Sequence, residues 1–236
     1  MAKIVRVCFL FLALCIPSEY AQAQSIMDLA HRYNLALKAI ELRKSRSSLE
    51  SVLRKGTLLS DKYDELEKLS ETDYLRFKKK MRGFDVNREE IIFVEPDRMF
   101  FLRLAKKIGT SADTNFFRLW AEIKPHNVWA SYIDQQTDYS GCTIYGNGQL
   151  TKLYGKALRF KRAYPRAYTS YLDDEINSIL EAFDGNICAC GSRDLVIREF
   201  SLFIKTFPKD AKTPTIRNFL DDLKAGKKFR FDCHSG

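Results

Sequence analysis

Apolar side chains return every three or four residues through most of the chain from 25 to 226. That period belongs to helices that each bury one face. Gly56, Gly83, Gly109, Pro125, Pro165, Gly185, Pro208 and Gly226 punctuate the pattern, as helix stops do. The first segment opens on a capping-box-like Ser25-x-x-Asp28, with Asp in place of Glu or Gln, and carries Leu29, Tyr33, Leu37, Ile40 and Leu42. It runs to Gly56 and is weakest from Ser45 to Ser48. A second segment begins at Ser60-Asp61 and carries Tyr63, Leu66, Leu69, Leu75, Phe77 and Met81. It closes at Gly83 behind Lys78, Lys79, Lys80 and Arg82, charges that suit the negative end of a helix dipole. Together they predict an N-terminal antiparallel helical hairpin over 24–83.

Residues 84–236 predict a second helical region. Its start, 84–95, is irregular, with Ile91 to Val94 a short buried segment. Pro96 then suits the first turn of a helix that contains Met99 to Ile108. Asp113 or Thr114 caps a helix bearing Phe116, Phe117, Trp120 and Ile123. Helices return from Gln149 to Pro165, from Tyr168 to Gly185, from Ser192 to Pro208 carrying Leu195, Val196, Glu199, Phe200, Phe203 and Phe207, and from Thr213-Pro214 to Gly226. No β-alternation of useful length intervenes. The fold class read from this is all-α: a helical hairpin followed by an antiparallel helical array, stabilised by disulfides.

The disulfides follow from the leader. Residues 1–23 read as a secretory signal peptide: Lys3 and Arg6 precede the apolar core Val7 to Ile16, Pro17 breaks it, and Ala21-Gln22-Ala23 offers a cleavage site. Ten apolar residues fall short of the ~20 a membrane helix needs, so cleavage after Ala23 predicts an exported protein, periplasmic or secreted, with no transmembrane segment. Export places Cys142, Cys188, Cys190 and Cys233 in an oxidising compartment, where an even count predicts pairing. A Cys188–Cys190 bridge closes a very short ring, so each of these two is expected to reach Cys142 or Cys233, in either combination. The same residues support a second chemistry. Cys188-Ala-Cys190-Gly191 opens a helix at Ser192, and a dipole-stabilised thiolate with a nearby resolving sulfur is the outfit of a thiol–disulfide oxidoreductase or redox chaperone. A zinc site on the four cysteines and His234 is disfavoured, because Cys-x-Cys is shorter than the usual zinc spacing.

From His126 to Gly148 the period disappears and turn formers dominate, a stretch long for a passive connector. His126, Asp134 and Asp138 are candidates for acid–base work, and Trp129, Tyr139 and Tyr145 for stacking on sugar or peptide, the outline of an envelope hydrolase. No zinc-protease, serine-hydrolase or phosphate-loop motif accompanies them, so no cofactor is implied. The charge points elsewhere. Lys and Arg number 39 against 30 Asp and Glu, a net charge of +9, and the leader holds little of it. On the helix that starts at Gln149, Lys152, Lys156, Arg159 and Arg162 fall within an arc of about 120°, opposite the apolar set. Such a stripe suits anionic lipid, lipopolysaccharide, acidic glycan or an acidic protein. Export and the absence of a nucleic-acid motif argue against DNA or RNA.

One internal echo remains. Phe160-Lys-Arg-Ala-Tyr-Pro165 matches Phe203-Ile-Lys-Thr-Phe-Pro208, and the segment 192–226, with an aromatic-Pro ending one helix and Lys-Ala-Gly ending the next, resembles a tetratricopeptide-like helical hairpin. The Trp, Leu-Gly and Tyr positions of that repeat are not matched. The resemblance implies a stacked, solenoid-like helical scaffold used for binding. The sequence therefore reads as a helical binding or scaffold protein of the cell envelope, working without turnover on a protein or anionic partner.

Overall fold

Helices begin where serine or threonine supplies a cap, and more often than the periodicity alone suggests. The computed structural model describes residues 25–42, 48–89, 91–125, 129–137, 140–184 and 188–227. The leader, His126, Asp138, Tyr139, Cys233 and His234 lie outside the described residues. Ser25 accepts a hydrogen bond from the Asp28 amide at 3.2 Å and starts α1 (Ile26–Glu41). Ser48 accepts from the Ser51 amide at 3.1 Å and starts a separate α2 (Leu49–Thr57). A 3₁₀ turn (Ser60–Lys62) and a short α3 (Tyr63–Glu67) follow, and Ser70 starts α4 (Glu71–Lys80). Each of the two long helices expected over 24–83 is thus divided at a serine whose hydroxyl takes the amide three residues on, the competition that makes serine a cap. α1 packs on both α2 and α4 instead of forming one arm of a single long hairpin.

The stretch expected to be irregular after Gly83 pairs as strands β1 (Phe84–Asn87) and β2 (Phe93–Pro96), antiparallel with Val86 opposite Val94. Pro96 ends β2 and is not the first helical residue. Asp97 caps α5 (Arg98–Ile108), accepting the Met99 and Phe100 amides at 2.9 Å. Thr110, not Asp113 or Thr114, caps α6 (Ser111–Ile123), and Asp113 is the third residue of a reciprocal capping box. Then come β3 (Ile133–Gln135) and β4 (Gly141–Ile144), α7 (Gln149–Ala163), α8 (Thr169–Glu181), β5 (Ala189–Cys190), α9 (Arg193–Thr206) and α10 (Thr213–Lys224). β4 lies between antiparallel β3 and parallel β5. The protein is mostly helical, and two small sheets correct the all-α expectation. Strands of two to four residues are too short to show a period of two in sequence.

Three helices stop by one device. The amides of Lys124, Tyr164 and Phe207 bond the carbonyls of Trp120, Phe160 and Phe203 at 2.9, 2.8 and 2.8 Å. Each then leaves helical geometry at φ −124, −135 and −125°. Proline follows each, and its ring bars the preceding residue from the helical region. The buried aromatic four residues before each stop joins a single apolar cluster that runs from Ile26 to Leu223. Through it passes a chain of rings: Tyr33 meets Phe84 at 5.1 Å, Phe84 meets Phe101 at 5.9 Å, and Phe101 stacks on Phe117 at 5.3 Å. Such pairs contribute ~0.5–1.5 kcal/mol each beyond buried area. Tyr168, at a left-handed φ of 54°, stacks on Phe116 at 3.8 Å and donates to Asp113 Oδ1 at 2.6 Å. The start of α8 is thereby tied to the cap of α6.

Candidate functional site

The end of α7 that must be held still is its beginning, because Gly148 occupies the cap position and has no side chain to offer. A buried carboxylate from α9 takes over. Glu199, fully buried, accepts the amides of Gly146 at 3.1 Å and Gly148 at 2.7 Å on Oε2. Its Oε1 accepts the Thr151 amide at 3.1 Å and the Thr151 hydroxyl at 2.9 Å. Two of these four donors, the Gly148 and Thr151 amides, are orphans of the first turn, the Gln149 amide being taken by Asn147 Oδ1 at 2.9 Å, and the carboxylate places negative charge at the positive end of the helix dipole. The turn before it requires glycine at Gly146. Its φ is +84°, and a Cβ there would lie 3.0 Å from the Cα of Leu195.

The same turn is anchored from the other side by sulfur. Cys142 on β4 and Cys190 on β5 are bonded, with Cα atoms 5.1 Å apart, which selects one of the two pairings the sequence left open. Cys188 is disulfide-bonded as well. Asp134 lies opposite Cys142 across β3 and β4, and its carboxylate and the two sulfurs fall within 4.8 Å of one another. Joined to each other, these sulfurs present no thiolate to a metal. Trp129 is half-buried and touches the edge of β4 beside Gly141. Asp134 is exposed and accepts from Gln136 Nε2 at 3.0 Å. Tyr145 is buried and donates to the Ala182 carbonyl, and burial pushes its phenol well above the ordinary tyrosine value. The described residues of the 126–148 stretch are therefore in large part a pinned sheet and turn.

Of the four basic residues expected on α7, Lys152, Arg159 and Arg162 are exposed and make no ion pair among the described residues. Lys156 is half-buried and paired with Glu122 of α6. Lys161, which interrupts the stripe, is paired with Asp173 of α8 at 2.6 Å. Beside the stripe, α6 and α7 leave a shallow groove of about 330 Å³, open to solvent. Leu119 and Phe160 form its floor, and Arg118, Arg159 and Tyr164 its polar margin. Asn115 links them: its Nδ2 donates to the Tyr164 hydroxyl at 2.9 Å, and its Oδ1 accepts from Arg118 at 3.2 Å. Arg118 and Asn115 carry no signal of their own in the sequence, since they meet α7 only once the helices are packed. Tyr164 was visible there only as a helix stop.

A second charged cluster is structural. Trp120 Nε1 and Lys124 Nζ both reach Glu175 Oε1 at 2.8 Å, and Arg98 lies over the Trp120 ring at 4.8 Å. Arg98 also stands 3.6 Å from Glu95. Burial raises the Glu95 carboxyl above its ordinary value against the opposing pull of Arg98, and burial lowers Arg98. These contacts tie β2, α5, α6 and α8 together.

No protein-family model, curated protein or solved structure matches this chain.

Proposed function

We propose that this is an exported helical binding protein whose basic α7 face meets an anionic partner. The observation that carries the reading is the contrast along one helix: Lys156 and Lys161 are neutralised by Glu122 and Asp173, while Lys152, Arg159 and Arg162 are exposed with no ion pair among the described residues. Exposed cations on a rigid element attract anionic ligands without first having to break internal pairs. Rigidity comes from Glu199 at the start of the helix and from the Cys142–Cys190 bond behind the preceding turn. The tetratricopeptide-like reading of 192–226, where α9 packs on α10, belongs to the same proposal as one unit of a stacked scaffold. Cleavage after Ala23 and a Cys188–Cys233 bond belong to the same proposal, and they are checked by N-terminal sequencing and disulfide mapping of exported protein.

The thiol-chemistry alternative draws less support. Cys142 is buried and its bond to Cys190 staples adjacent strands, an arrangement suited to holding a sheet. The test of the binding reading is fluorescence anisotropy with a labelled polyglutamate peptide across a salt series, wild type against K152Q/R159Q/R162Q. Affinity that falls with salt and drops severalfold in the triple variant supports the proposal. Binding that ignores both defeats it.

A further inference from the structure

We infer that the groove between α6 and α7 receives an acidic protein segment carrying one apolar anchor side chain, an inference that deepens the binding reading above and rests on it. Three features of the groove specify the chemistry. First, its available polar groups are donors. Arg118 and Arg159 have no carboxylate partner among the described residues, and the Tyr164 hydroxyl, holding the Asn115 amide as acceptor, has its own proton free of any acceptor there. The one carboxylate on the wall, Glu122, is consumed by Lys156. Two guanidinium groups and a phenol hydroxyl, with no free acceptor beside them, match carboxylate oxygens.

Second, the floor is apolar. Leu119 and Phe160 are buried except for the small faces they turn to the groove beneath the donors, so a ligand that only carries charge leaves those faces in water, and one with a Leu or Phe between its acids covers them. Third, the surroundings disfavour a membrane as the source of the anions. Among the described residues the large apolar side chains that stand exposed belong to other elements, none to α6 or α7. A surface that enters the acyl layer needs such side chains beside its cations. A shallow groove with a charged margin fits a segment laid along it.

The experiment uses the full mature protein and two labelled peptides of equal charge. One is glutamate-rich with a Leu-Phe pair at its centre, and the other has Ser-Ser in that place. The wild type is expected to bind the Leu-Phe peptide about tenfold tighter, the least expected from burying one such side chain. A163W, which covers the groove from the exposed end of α7, and R118Q, which lies off the α7 stripe, should each remove most of that preference. K152Q/R162Q, outside the groove, should weaken both peptides by the same factor. Equal affinity for the two peptides, or a preference that survives both A163W and R118Q, overturns the groove assignment and leaves the basic-face reading standing. Absence of binding by either peptide at low salt overturns both. Vesicles containing phosphatidylglycerol form the last arm: binding to them that is lost in A163W, without a peptide preference, assigns the groove to lipid and overturns the inference.

Discussion

Replacing Glu199 by glutamine keeps the shape of the side chain and removes its charge and one of its two acceptor oxygens. In the best orientation the amide oxygen faces the Gly146 and Gly148 amides, and the NH₂ group faces Thr151. The Thr151 hydroxyl can turn to accept from it, but the Thr151 N–H, bonded at 3.1 Å in the wild type, loses its acceptor in a fully buried place. An abandoned buried donor and the loss of charge assistance on the remaining bonds cost about 2–4 kcal/mol together. One term opposes this: a neutral amide no longer bears the penalty of a buried charge. Four donors converging on the carboxylate make the loss dominate. For a chain of this size that is a fall in Tm of roughly 5–15 °C. Urea unfolding followed by far-UV circular dichroism, with the disulfides intact, gives the difference directly. T151V, which deletes only the hydroxyl bond, should cost about 1–2 kcal/mol and serve as the smaller step. E199Q within about 0.5 kcal/mol of wild type would refute the argument that this carboxylate caps α7.

Three further outcomes follow from the geometry. Replacing Cys142 and Cys190 by serine opens a loop with a sequence separation of 48 and should cost about 4 kcal/mol by chain entropy, read by the same denaturation assay. Burial raises the Glu95 carboxyl, so the folded state holds a proton the unfolded state has released. Stability should therefore fall as pH rises from the ordinary glutamate value through the folded one, and E95Q should flatten that slope in melts across pH. Burial likewise raises the phenols of Tyr33, Tyr132, Tyr145 and Tyr168. The unfolded chain ionises first, so stability should fall above about pH 10, with phenolate absorbance appearing together with unfolding.

The sequence declares the local rules of this fold and conceals the distant ones. Ser25 caps α1, Gly83 and Gly226 follow α4 and α10, and Pro125, Pro165 and Pro208 stop their helices, because each acts on neighbours within a turn. Ser48 and Ser70 carry the same signal: the weakened period from Ser45 to Ser48 marks the first break, whereas an apolar period that continues past Ser70 hides the second. The sheets escape notice because β5 has two residues and gains its identity only by lying beside β4. Glu199 falls at the spacing of the apolar residues of α9, but nothing near it in sequence shows why a carboxylate stands there, since its donors lie about 50 positions earlier, Thr151 among them. The basic stripe on α7 is legible from one helix alone. The groove is not, since Asn115 meets Tyr164 across 49 positions and only the packing of α6 on α7 brings them together.

The central claim is that the partner meets the α6–α7 face. Amide chemical-shift mapping of the isotopically labelled protein, titrated with a polyglutamate peptide at low salt, tests it most directly. The largest, saturable shifts are expected at Arg118, Lys152, Lys156 and the turn from Arg159 to Tyr164, with their loss in K152Q/R159Q/R162Q. Shifts centred instead on Lys78 to Arg82 or on Arg103 and Lys107, with α7 silent, would contradict it.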